Sequence, residues 1–129
     1  MLVDRHPFPW LILACYSIFI TYISLLPGQG NGDITDLKQY KIPHLDKVLH
    51  VGAYWVYALL ALFAAKMKYE RWLVCCLLLL HGILLEYLQI TLATGREASI
   101  PDIIANTAGV ILGYFTALIY QHHPSNPHH

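Results

Sequence analysis

The chain has 129 residues, of which 57% are hydrophobic and only 12% charged, with a formal net charge of zero. A soluble domain carries about 25% charged residues, so half that share excludes an ordinary soluble enzyme and implies an integral membrane protein. The neutral balance excludes a basic nucleic-acid-binding face, and the length allows one domain.

A spanning helix needs about 20 mostly apolar residues. Four stretches qualify, at roughly 8–26, 45–65, 72–93 and 100–120. The expected fold is therefore all-α, an integral membrane four-helix bundle filling residues 1–121 as a single domain. The first stretch has Arg5 and His6 ahead of it and ends at Pro27-Gly28. Its apolar core is longer than the usual 7–15 residues of a signal peptide, and no A-x-A-like site follows. The "ILAC" before Tyr16 faintly resembles a lipoprotein cleavage site, but the apolar run continues past Cys15, so we read an uncleaved helix. Cys15, Cys75 and Cys76 all fall in apolar runs and read as small packing residues rather than a disulfide framework.

The second stretch opens "DKVLHVGAY", placing Asp46 and His50 four residues apart on one helical face. Lys47 there reads as a flank that snorkels to the interface ahead of a catalytic lysine. Tyr54, Trp55 and Tyr57 read as packing and lipid contacts, and Gly52 as a small residue beside His50. The third stretch is interrupted by His81, Glu86 and Gln89, the last two again on one face. In the fourth, Asp102 and Asn106 are four apart, and Ala105, Gly109, Gly113 and Ala117 form a smooth stripe for another helix, within the chain or from a second copy. The connections are a long polar loop at 28–44, a basic turn at 66–71 and a short turn at 94–99 holding Arg96. The polar tail "HHPSNPHH" at 122–129 reads as disordered. Basic residues are tied between the two sides; the crowding of Lys66, Lys68 and Arg71 in a short turn favours cytoplasmic termini.

The second helix starts, the third ends and the fourth starts on one side of the membrane. At 1.5 Å per residue Glu86 lies roughly 10 Å below its helix end, and His50 and Asn106 roughly 6–9 Å below their helix starts. Three segments thus place polar residues at one depth, in the outer third of the bilayer. Each has a plainer reading. Ser99 with Asp102 is a capping-box pattern behind Pro101. Asp46 suits a helix start, Arg96 an interfacial anchor, and His50 a satisfied bundle histidine. Glu86 and Asn106 resist such readings because neither sits in a first turn, and an ionisable residue within a span costs at least about 2.5–3.5 kcal/mol.

Taken in order, "DKVLHVGAY", "EYLQ", "R" and "PDIIANTAGVILG" resemble the VanZ-like family of small bacterial membrane proteins. Asp46, Lys47, His50, Glu86, Gln89, Arg96, Asp102, Asn106 and Gly109 match its pattern. The resemblance implies a protein of the bacterial cell envelope, multi-pass in the inner membrane, with a link to low-level teicoplanin resistance. It implies no settled biochemical activity.

Three functions compete. In the first, His50, Glu86 and Asp102 are the catalytic groups acting on an amphipathic or lipid-linked envelope substrate. His50 is the acid–base, because imidazole titrates near neutral pH. Arg96 holds an anionic group, and Asp46, Lys47, Gln89 and Asn106 complete the binding site. In a variant, Asp46, His50, Glu86 and Asp102 hold a metal; the ligand types suit one, but the spacings match no metal motif, so none is assigned and the cofactor is left open. In the second, the cluster is a non-catalytic packing network or binds a glycopeptide or lipid carrier. The third, a transporter or proton path, ranks last, since only His81 lies deeper.

Overall fold

The structure, a computed structural model, describes residues 6–26, 45–92 and 100–122. Four helices occupy them: α1 (Phe8–Leu25), α2 (Leu45–Ala64), α3 (Lys68–Thr91) and α4 (Ile100–His122). All four are long and apolar enough to cross a membrane. The Arg96 turn, the 28–44 loop and the 123–129 tail lie outside the described residues.

The helix limits follow local chemistry. α1 begins with Pro7 at its N-cap and a second proline in its first turn, where a missing backbone N–H costs nothing. α3 starts four residues earlier than its apolar run. The reason is Glu70, whose carboxylate accepts the backbone N–H groups of Lys66 (3.0 Å) and Met67 (3.1 Å), two donors with no partner inside the helix. The charged "KYER" thus reads as a turn by composition but folds as the first turn of a helix. Glu70→Ala should lower the melting temperature of detergent-purified protein by about 0.5–2 kcal/mol worth of stability, the usual range for a lost cap. An unchanged melt would remove this role from Glu70.

Contacts between helix ends give the topology. Lys47 meets Asp102 at the starts of α2 and α4. Gln89 Nε2 donates to the carbonyl of Ser24 (2.7 Å) at the ends of α3 and α1. At the opposite face Arg71, near the start of α3, donates to Gln121 at the end of α4 (2.5 Å). The bundle therefore runs up-down-up-down.

α2 and α4 share the most extensive interface, and α1 packs on α2 and α3. The α4 stripe explains the first. A Cβ on Gly109 would lie 2.5 Å from the Val51 carbonyl oxygen, and one on Gly113 would lie 2.6 Å from Ala58 Cβ. Only glycine permits this approach of backbone to backbone. A second copy docking on the same stripe would have to compete with α2 for it. Gly52, by contrast, faces open space with nothing within 4 Å, so the expected close contact beside His50 is absent there. Gly82 on α3, not singled out by sequence, sits where a Cβ would meet Tyr54 Oη (3.1 Å) and Asn106 Nδ2 (3.2 Å).

The core is built from Tyr54, Tyr57, Ala58, Ala61 and Leu62 of α2, with Val74, Leu78 and Leu85 of α3, Val110 of α4 and Ile20 of α1. Large apolar side chains such as Phe19, Phe63, Trp72, Leu80, Ile104 and Ile119 are exposed on the outside. That inversion is what a lipid-facing surface requires.

Candidate functional site

The starts of α2 and α4 and the end of α3 converge on one polar cluster. His50, Glu86 and Asp102 each offer a nitrogen or carboxylate oxygen lying within 4.8 Å of those of the other two. Each comes from a different helix. Glu86, Asp102 and Asn106 are only 5%, 7% and 4% exposed, so the cluster lies inside the bundle rather than on its rim.

His50 is oriented by its own helix. Its Nδ1 lies 2.6 Å from the Asp46 carbonyl oxygen, one turn back. A carbonyl can only accept, so Nδ1 carries the proton and Nε2 is the ring atom left for chemistry. Nε2 faces Glu86 Oε1 at 3.9 Å, beyond hydrogen-bonding distance. The orienting group is thus a backbone carbonyl rather than a carboxylate.

Lys47 does more than snorkel. Its ammonium donates to Asp46 (2.6 Å) and to Asp102 on α4. The second contact ties α2 to α4 at the mouth of the cluster. Asp46 itself is more exposed than Asp102, with 45% of its side-chain surface open, so it lies at the edge.

Asn106, one turn further into α4, is buried, and its Oδ1 has no hydrogen-bond partner. A buried acceptor without a partner is costly and marks a place where the fold leaves polarity uncommitted. Gln89 is buried as well, but its amide nitrogen is spent on Ser24. It secures α1 instead of joining the His50 cluster by that contact. Arg96 lies outside the described residues.

A second polar group, of which sequence reasoning noted only His81, lies deeper. Thr21 Oγ1 donates to the Ser17 carbonyl (2.8 Å) and also lies 2.9 Å from His81 Nε2. Its one proton is used, so His81 Nε2–H must be the donor to it. His81 Nδ1 then accepts from Tyr57 Oη (3.1 Å), and Tyr57 accepts from Ser17 Oγ (2.6 Å). The donors run Ser17, Tyr57, His81, Thr21 and back to the Ser17 carbonyl. The circuit joins α1, α2 and α3 and satisfies both nitrogens of a histidine inside a span. Beyond His81, its sequence signal was the i, i+4 spacing of Ser17 and Thr21.

A protein-family model described as VanZ/LLP1 matches residues 1–121. Searches of curated proteins and of solved structures found no match.

Proposed function

The chain belongs to the VanZ/LLP1 family, a multi-pass membrane protein, and from that premise we propose that it binds an amphipathic envelope molecule and acts on its headgroup. The lipid tail lies among the exposed apolar side chains of the bundle. The headgroup enters at the end where α2 and α4 start. His50, Glu86 and Asp102 are the reacting side chains, and Lys47, Asp46 and Asn106 position the headgroup, with Arg96 as the group for an anionic substituent. The site faces the outer leaflet of the bacterial inner membrane, with both termini cytoplasmic.

One observation carries this reading. A half-buried histidine and two buried carboxylates, in spans where each is expensive, meet from three separate helices. Pairs of titratable groups held in one concave polar place are where acid–base chemistry is built. A second reading is supported by Lys47, whose two carboxylate contacts resemble a packing clasp. In that case the cluster holds the helices together and nothing more.

Teicoplanin susceptibility of a host expressing the chain separates the two. His50→Ala should reach wild-type membrane levels and melting temperature, since His50 is half-buried and its ring contact is to its own helix. It should nevertheless abolish any change in susceptibility that the wild-type chain confers. If the variant confers the wild-type change, the reactive reading fails and the clasp replaces it.

A further inference from the structure

We infer that Tyr54 and Asn106 form a floor beneath the charged cluster and seat a hydroxyl group there, so that the bound headgroup is a polyol such as a glycoside; this rests on the reading of the cluster as the place where a headgroup enters. Tyr54 reads by sequence as a packing residue, and Gly82 carries no sequence signal at all.

Each of three helices presents a second level. Tyr54 follows His50 on α2 by four residues, Gly82 precedes Glu86 on α3 by four, and Asn106 follows Asp102 on α4 by four. Residues so spaced share a helical face. α3 runs against α2 and α4, so all three steps lead the same way, about 6 Å deeper into the bundle. The level below His50, Glu86 and Asp102 is therefore built from Tyr54, Gly82 and Asn106. Their contacts agree. A Cβ on Gly82 would meet Tyr54 Oη at 3.1 Å and Asn106 Nδ2 at 3.2 Å. The phenol of α2 and the carboxamide of α4 thus reach one spot, where α3 offers only backbone.

Their chemistry selects the ligand. Both side chains are buried, Tyr54 at 3% and Asn106 at 4% exposure, and Asn106 Oδ1 has no hydrogen-bond partner. Only a group that brings a proton satisfies a lone acceptor. An ionised phosphate or carboxylate oxygen would meet it lone pair to lone pair. An ammonium would bring the proton, but Tyr54, Gly82 and Asn106 are neutral and return no counter-charge for an ion carried into a span. A hydroxyl suits both sides: it donates to Oδ1 and, through its own oxygen, accepts from the Tyr54 phenol. Both floor groups are ends of side chains and can shift for one inserted oxygen atom, as the Val51 carbonyl against Gly109 cannot. A stranded acceptor lowers stability, and such unpaired polarity is tolerated where function uses it.

The test places the full chain, labelled with nitrogen-15 at asparagine and glycine, in phosphatidylcholine bicelles, whose headgroup donates no hydrogen bond. The asparagines are Asn31, Asn106 and Asn126, so the Asn106 carboxamide is assigned by its loss in Asn106→Leu. Titration with octyl β-D-glucoside should shift that carboxamide and the Gly82 backbone amide saturably. The tetra-O-methyl glucoside, equal in ring and tail but without a donor, should not, nor should octylammonium. Asn106→Leu should melt higher than the wild type in probe-free bicelles, because it removes a stranded acceptor. It should nevertheless bind the glucoside about tenfold more weakly by the Gly82 signal, the size of one hydrogen bond. Tyr54→Phe should weaken binding as well. An equal response to the methylated probe, a response to octylammonium alone, or no response of Asn106 and Gly82 to the glucoside overturns the floor. So does undiminished binding by either variant, or a lower melting temperature of Asn106→Leu. The readout is binding alone, so a failed titration leaves the susceptibility result of His50→Ala standing, and that result can fail without touching the titration.

Discussion

Gly109→Ala should leave little folded protein in the membrane, while Gly52→Ala should match or exceed the wild type. Both changes add one methyl group to a helix, and both gain up to about 1 kcal/mol of helix propensity. They differ in what the methyl meets. At Gly109 it would lie 2.5 Å from the Val51 carbonyl oxygen, 2.9 Å from Tyr54 Cβ and 3.0 Å from the Trp55 nitrogen. Two of these are backbone atoms and cannot rotate aside, so α2 and α4 must move apart. Overpacking of this kind costs about 1–3 kcal/mol and sometimes more, which exceeds the propensity gain. At Gly52 nothing lies within 4 Å. Gly82→Ala should fall between them, because its nearest neighbours are the ends of the Tyr54 and Asn106 side chains. Fluorescent-fusion size-exclusion profiles and melting temperatures in a mild detergent would rank the variants. A Gly109→Ala chain as stable as Gly52→Ala would show that the α2–α4 approach is looser than described.

The second large effect concerns His81. His81→Ala removes both bonds of the imidazole at once and leaves Tyr57 Oη without its acceptor and Thr21 Oγ1 without its donor. Interhelical hydrogen bonds in membranes average about 0.6 kcal/mol and reach about 1.7. Losing two should therefore cost between about 1 and 3 kcal/mol, below the sum that two stranded groups would give in a dry soluble core. Tyr57→Phe in the His81→Ala background should cost less than it does alone, since its partner is already gone. Steric-trapping measurements of unfolding in bicelles would give both values. Strict additivity of the two changes would mean that Tyr57 and His81 are not coupled.

Much of this architecture is legible from chain composition. Each helix is an apolar run of spanning length, and a membrane leaves such a run few alternatives. The i, i+4 pairs on α2 and α4 were visible because that spacing is a property of one helix. What composition hides is contact between helices. Lys47 looked like an interfacial flank because nothing in "DKVLH" says that Asp102, 55 residues on, will face it. Gln89 looked like a companion of Glu86 because both share a face of α3, yet a face is wide enough to serve two neighbours, and Gln89 serves α1. The first turn of α3 was hidden because a carboxylate that caps a helix and one that sits in a polar turn have the same sequence.

The Ser17–Tyr57–His81–Thr21 circuit also fixes a fulcrum. α2 and α4 are locked backbone to backbone at Gly109 and Gly113, whereas α3 is held to α1 and α2 at its middle by His81. Glu86 stands five residues beyond that point, roughly 7.5 Å along the axis. Over such an arm, closing the 3.9 Å gap between His50 and Glu86 to a hydrogen bond of about 3.0 Å takes a tilt of only about 7°. Because Gln89 grips Ser24, the end of α1 must travel with that tilt. Contact between His50 and Glu86 would then be transmitted mechanically to the first helix, and a spectroscopic label on α1 would register events at a site that α1 does not itself build.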